Sequence, residues 1–142
     1  MTVQLATQAG PQCRCAKGRL RVFIRNATDL PRRADGSFVS PYVNVIAYRN
    51  NNLNSRVSRI TNLANRVASP QWNRVLDFGI GEWSLIRIKV IDWDWNRTPR
   101  GISLSGSRWT DYNIFNSHTS QTFVEMEVDS GYMLFDYHFE AE

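Results

Sequence analysis

Apolar and polar residues alternate through Leu20-Arg21-Val22-Phe23-Ile24-Arg25, the two-residue period of a half-buried strand. Tyr42 to Tyr48 repeats the pattern and stops at Asn50-Asn51-Asn52, residues that favour turns. Ser55 to Thr61 alternates again, with Arg56 and Arg59 among small polar and β-branched residues. Pro70-Gln71-Trp72-Asn73 then leads into a strand from Arg74 to Gly79, and Ser84 to Ile91 forms the next, its apolar positions broken by Arg87 and Lys89. A long loop is expected before the last two strands, Phe123 to Val128 and Tyr132 to Phe139. No stripe has the period of a helix. Short strands at this spacing, separated by turn residues, predict an all-β antiparallel sandwich. Residues 1–17 are polar and unpatterned and read as a flexible leader, with the domain spanning 18–142.

The 142 residues make one domain of ordinary size, enough to bury about two thirds of the unfolded surface without disulfides or metals as staples. The net charge of +4 conceals a polarity along the chain. All 17 Lys and Arg lie at or before Arg108 with 6 acids, giving +11, whereas residues 109–142 hold 7 acids and no Lys or Arg. Fifteen of the cations are Arg, whose planar fork suits phosphate and carboxylate. An anionic partner is therefore expected, a lipid headgroup or nucleic acid. No run reaches the roughly 20 apolar residues of a spanning helix, and the first residues lack a signal-peptide pattern. Cys13 and Cys15 stand in a C-x-C pair outside the patterned region, with no second pair to complete a zinc site.

Chemistry concentrates in Asp92-Trp93-Asp94-Trp95, two carboxylates interleaved with two indoles at a strand end. Paired carboxylates suit a hard cation such as calcium. Trp93 and Trp95 suit the membrane interface, where an apolar ring carries a polar handle. Phe38 and Val39 sit in the polar segment between the first two strands and are expected to enter the same interface. A nucleophile elbow, a phosphate loop and an H-E-x-x-H motif are all missing, so an enzyme is not expected. Acids at the loop end and the lack of a stacking motif argue against nucleic acid.

Several motifs in order resemble a C2 domain over roughly residues 18–110. They are Gly18-Arg19-Leu20-Arg21-Val22, Ala27-Thr28-Asp29-Leu30-Pro31, Pro41-Tyr42-Val43-Asn44-Val45, Ser69-Pro70-Gln71-Trp72-Asn73 and Val90-Ile91-Asp92-Trp93-Asp94. Within the family, Cys13-Arg14-Cys15 and the tail from Asp129 to Tyr137 resemble segments flanking the C-terminal C2 domain of perforin-like proteins.

The resemblance implies an eight-stranded C2-type sandwich that docks on phospholipid, with calcium ligands in its first and third loops. Asp92 and Asp94 match the third-loop pair, and Asp35 lies one residue from the place of the first first-loop acid. The chain departs from the family at Ser40, where an aspartate usually precedes Pro-Tyr, and at Arg100-Gly101-Ile102, where a last acid is usual. Asn96 offers a neutral oxygen instead. The expectation is one weak calcium site at Asp35, Asp92, Asp94 and Asn96, in the ~10⁻⁴ to 10⁻³ M class of extracellular modules. Arg56, Arg59, Arg66, Arg74, Arg87 and Lys89 lie on segments resembling the basic concave face of the family and are expected to meet anionic headgroups. Tyr42 and Trp72 are expected in the core. Perforin likeness implies a secreted, extracellular protein acting peripherally at membranes. The missing acid at Ser40 sustains an alternative, a calcium-independent module that recognises a protein or a carbohydrate.

Overall fold

The computed structural model describes residues 17–94, 98–103, 110–113, 121–128 and 130–142. The expected leader, apart from Lys17, lies outside the described residues, and Cys13 and Cys15 with it. The described segments hold β1 (Gly18–Thr28), β2 (Pro41–Arg49), β3 (Asn52–Ile60), β4 (Gln71–Gly81), β5 (Trp83–Asp94), β6 (Thr98–Ser103), β7 (Thr110–Asn113), β8 (Gln121–Val128) and β9 (Gly131–Ala141). One sheet has the order β4-β1-β9-β8, and the other runs β3-β2-β5-β6 with β7 also on β5. β6 pairs with residues 91–94 of β5 and β7 with residues 85–88. The two short strands therefore share one flank of β5, and each sheet is four antiparallel strands wide. The expected eight-stranded sandwich is thus the observed architecture.

The segment read as one long loop is corrected, because β6 and β7 lie inside it. Pro99 and Gly101 carry turn chemistry, yet the unfilled hydrogen-bonding flank of β5 recruits the segment as strand. Among the described residues no helix is long and apolar enough to cross a membrane.

Alternation sets which side chains fill the space between the sheets. On β2 the inward positions are Val43, Val45 and Ala47; on β1 they are Leu20, Val22 and Ile24; all are fully buried. Tyr42 falls on the opposite phase to Val43 and is half-buried on the outer face, which corrects its assignment to the core. Trp72 is in the core, with its indole N–H donating to the Pro41 carbonyl at 3.2 Å. Asn50 and Asn51, at φ 53° and 55°, make the two-residue turn joining β2 to β3. Two consecutive left-handed residues are what a type I′ hairpin demands, and Asn tolerates that region best after Gly.

β1 ends at residue 28, β2 begins at residue 41 and β5 reaches residue 94 at the same edge of the sandwich, where Pro41 pairs with Asp92. The loops 29–40 and 61–70 and the end of β5 therefore gather at one pole.

Candidate functional site

On β5 the inward positions are Ile86, Ile88, Val90 and then Asp92, all at most 1% exposed. The last core position of the strand is thus a carboxylate, and a buried charge demands a partner. Arg33 supplies it from the first loop. Its Nε donates to Asp92 Oδ2 at 2.8 Å and its Nη2 to Asp92 Oδ1 at 2.9 Å, a bidentate fork. Nη2 also donates to the Trp93 carbonyl at 3.2 Å. The Arg33 side chain is itself only 11% exposed. A tight turn holds it there: Arg33 N–H donates to the Ser37 carbonyl and Gly36 N–H to the Arg33 carbonyl, both at 2.9 Å. Gly36 closes that turn at φ 87°, a conformation other residues adopt at a cost.

Ser40 completes the arrangement. Its backbone N–H donates to Asp92 Oδ1 at 2.8 Å and its carbonyl accepts from Trp93 N–H at 2.9 Å. Its hydroxyl accepts from Arg66 N–H at 3.1 Å and reaches Asn65 Oδ1 at 3.5 Å. An aspartate at this buried position would set a second carboxylate against Asp92. Serine instead gives Asp92 a backbone N–H and keeps its own hydroxyl on Arg66 and Asn65.

Of the four expected calcium ligands, the structure describes the side chains of Asp35 and Asp92; those of Asp94 and Asn96 lie outside the described residues, as does Trp95. As arranged, the described pair does not fit a bound calcium. Both Asp92 oxygens accept from Arg33, and Oδ1 also accepts from Ser40 N–H. Asp35 Oδ1 closes its own turn, accepting from Ser37 N–H at 2.9 Å and from the Ser37 hydroxyl at 2.6 Å. No group of three or more His, Cys, Asp or Glu suited to a metal occurs among the described residues. Arg33 escaped the sequence reading although a signal was present. The Ile86, Ile88, Val90 phase makes Asp92 an inward residue, and such a carboxylate requires a cation from elsewhere in the chain.

Phe38 and Val39, expected to act together, separate. Phe38 is 38% exposed, with the Arg32 guanidinium 4.2 Å from its ring centroid. Val39 is 2% exposed and belongs to the core, so its assignment to the membrane interface is corrected. Adjacent residues of an extended segment point to opposite sides, and Val39 takes the inner one. Trp93 is half-buried. The second loop is laced to the first by Val67 N–H to the Val39 carbonyl and Ala64 N–H to the Pro41 carbonyl. It adds the exposed Leu63 and Arg66, and β3 ends beside it at the exposed Ile60. Neither Leu63 nor Ile60 stood out in the sequence, being single apolar residues in polar surroundings.

The basic residues divide by environment. Arg56, Arg59 and Arg74 are exposed on β3 and β4, the edge strands that meet at the same side of the sandwich, and make no ion pair among the described residues. Arg87 and Lys89 lie on the outer face of β5, opposite Ile46 and Asn44. Arg87 is held by Asp111 through Nε at 2.7 Å and Nη2 at 3.1 Å. Hydrogen bonding to Asp111 raises the Arg87 pKa above its ordinary value. The pair is locally neutral, so Arg87 adds little to the field that Arg56, Arg59 and Arg74 project.

A family model described as C2 domain matches residues 18–119. No curated protein matches the sequence. Among solved structures, human GIVD cytosolic phospholipase A2 in complex with methyl gamma-linolenyl fluorophosphonate superposes with a TM-score of 0.66 at 14% identity. That likeness covers 93% of this chain but 18% of the phospholipase. One C2 domain of plant extended synaptotagmin 1, the domain designated A, gives 0.62 at 15% identity, covering 91% of this chain and 98% of that one. Calcium-bound extended synaptotagmin 2, comprising its C2 domains A and B, gives 0.64 at 18% identity, over 89% of this chain and 46% of that one.

Proposed function

Because this chain belongs to the C2 domain family and its loop pole mixes exposed apolar side chains with arginines, we propose that it is a non-catalytic module that docks peripherally on anionic phospholipid. The observation that carries this reading is the placement of Phe38, Leu63 and Ile60 with Arg32, Arg59 and Arg66 around two loops tied together by backbone hydrogen bonds. A ring or aliphatic chain entering the interface gains roughly 25 cal/mol per Å² of apolar surface removed from water. Each arginine near an anionic leaflet contributes about 1 kcal/mol. The exposed Arg56, Arg59 and Arg74 extend the charge along the β3 and β4 edges, so pole and edge face the membrane together. Calcium has no part in this reading, since the Asp92 oxygens are committed to Arg33. Sedimentation with phosphatidylserine-containing and purely zwitterionic vesicles tests it; failure to bind either would end it.

The perforin-like affinity, with the secreted location it implies, rests on Cys13-Arg14-Cys15 and the Asp129 to Tyr137 tail and is kept as part of the proposal. A second reading, recognition of a protein partner, is favoured by the outer face of the β4-β1-β9-β8 sheet. Val75, Ile80 and Phe123 are 54%, 48% and 64% exposed there. It predicts a partner whose capture is lost with Phe123→Ala while vesicle binding is absent.

A further inference from the structure

We propose that Arg33 is a resident cation that takes the place of calcium, so that the loop pole is assembled identically with or without the metal. The groups it gathers are those a calcium ion would take: two oxygens of a carboxylate and one backbone carbonyl. They come from Asp92 and Trp93 at the end of β5, whereas Arg33 comes from the first loop. The contact thus performs the mechanical task of a bridging ion, fastening the first loop to the end of β5. The position beside Asp92 that could carry a second acid is Ser40, which gives Asp92 a backbone N–H instead.

Burial makes the substitution permanent. Asp92 is 1% exposed and the Arg33 side chain 11%. A guanidinium stays protonated at any physiological pH, and its fork matches the carboxylate at two points. An incoming divalent ion would have to expel this fork and break the buried Arg33–Asp92 pair. The pole therefore cannot report calcium concentration, and whatever it binds is bound constitutively. This claim concerns the cation and does not depend on lipid: a domain that failed to bind vesicles could still satisfy it, and one that bound them could still fail it.

The test uses the full chain and two readouts. Melting temperature of the wild-type protein is compared in EGTA and in about 10 mM calcium, a concentration above the millimolar class, and terbium luminescence sensitised by tryptophan is followed in a titration. The proposal expects the wild-type melting point to move by less than about 1 °C and terbium emission to stay at the free-ion level. Arg33→Ala, which leaves Asp92 buried and uncompensated, should melt roughly 10 °C lower. In that variant the same calcium should restore about 4–5 °C and terbium should emit, as expected for a site in the millimolar class. Magnesium at the same concentration should do neither. A wild-type protein that binds terbium or is stabilised by calcium overturns the proposal, as does an Arg33→Ala protein that folds and ignores calcium. Should Arg33→Ala not fold, the wild-type terbium titration decides alone.

Discussion

Replacing Arg56, Arg59 and Arg74 together by Gln removes the exposed cations of the β3 and β4 edges without touching the core or any described ion pair. All three are exposed, so the melting temperature should stay within about 2 °C of wild type. At about 1 kcal/mol per cation near an anionic leaflet, the triple variant loses about 3 kcal/mol of membrane affinity. That corresponds to a partition coefficient roughly 100-fold lower on vesicles containing phosphatidylserine, read by cosedimentation at about 0.1 M salt. The matching control is Arg87→Gln with Asp111→Asn, which deletes a bidentate pair and leaves net charge unchanged. It should alter partition less than about 2-fold. Raising salt to about 0.5 M shortens the screening length to roughly half its value of about 10 Å at 0.1 M and should collapse the difference between wild type and triple variant. Binding of the triple variant within about 3-fold of wild type at low salt would refute the assignment of these cations, as would a deficit that persists undiminished at high salt.

Phe38→Ala should lower vesicle affinity about 5-fold with an unchanged melting point, whereas Val39→Ala should cost about 2 kcal/mol of stability and leave affinity alone; unfolding and cosedimentation on the same samples separate the two. Asp136 is bound bidentately by Arg25 and accepts Phe123 N–H at 2.7 Å. Burial raises its carboxyl pKa, but the Arg25 hydrogen bonds, that N–H and the Arg25 charge together hold it below the ordinary value. The carboxylate's stabilisation is present above the unfolded pKa near ~3.9 and fades as pH falls through the lower folded value, so Asp136→Asn should be destabilising at pH 7 and the gap should narrow as pH falls below ~3.9 toward the acid limit. Melting curves between those limits check it, and a gap of constant size would contradict the assignment. Gly131→Ala places a Cβ 2.3 Å from the carbonyl oxygens of Thr28 and Asp29, so the β8–β9 hairpin must shift away from β1, at about 1–3 kcal/mol by denaturant unfolding.

What could be read in advance follows from how local each cause is. β1, β2, β5 and β9 carry their own alternation, so Leu20, Val22, Val43 and Ile88 announce their inward phase within a few residues. β6 and β7 do not, because what makes them strands is the unfilled flank of β5 rather than the residues around Pro99 and Gly101. At the pole, Asp92 was visible as chemistry, but its partner stands 59 residues earlier among polar loop residues, and nothing near Arg33 marks it off from Arg32. The split between Phe38 and Val39 depends on which way an extended loop segment turns, which the backbone hydrogen bond from Val67 N–H helps fix. The outward place of Tyr42 is legible in the alternation of β2, because Val43, Val45 and Ala47 take its inward phase.

The pairing of β1 with both β4 and β9 puts the first strand at the middle of its sheet and makes the last strand its neighbour. On a ribosome adding ~5–20 residues per second, β1 is followed by β9 only after roughly 6 to 25 s. Both hydrogen-bonding flanks of β1 are open until β4 is made, and from then until β9 arrives Leu20, Val22 and Ile24 still have one open flank. A nascent strand in this state is a template for pairing with another chain. Its outward positions include Arg19 and Arg21, with Arg25 nearby, charges that oppose stacking against a second copy. After the sheet closes, Arg25 takes Asp136 of β9 and Arg19 takes Asp77 of β4. The arginines that guard the growing chain thus end as ties across the finished one.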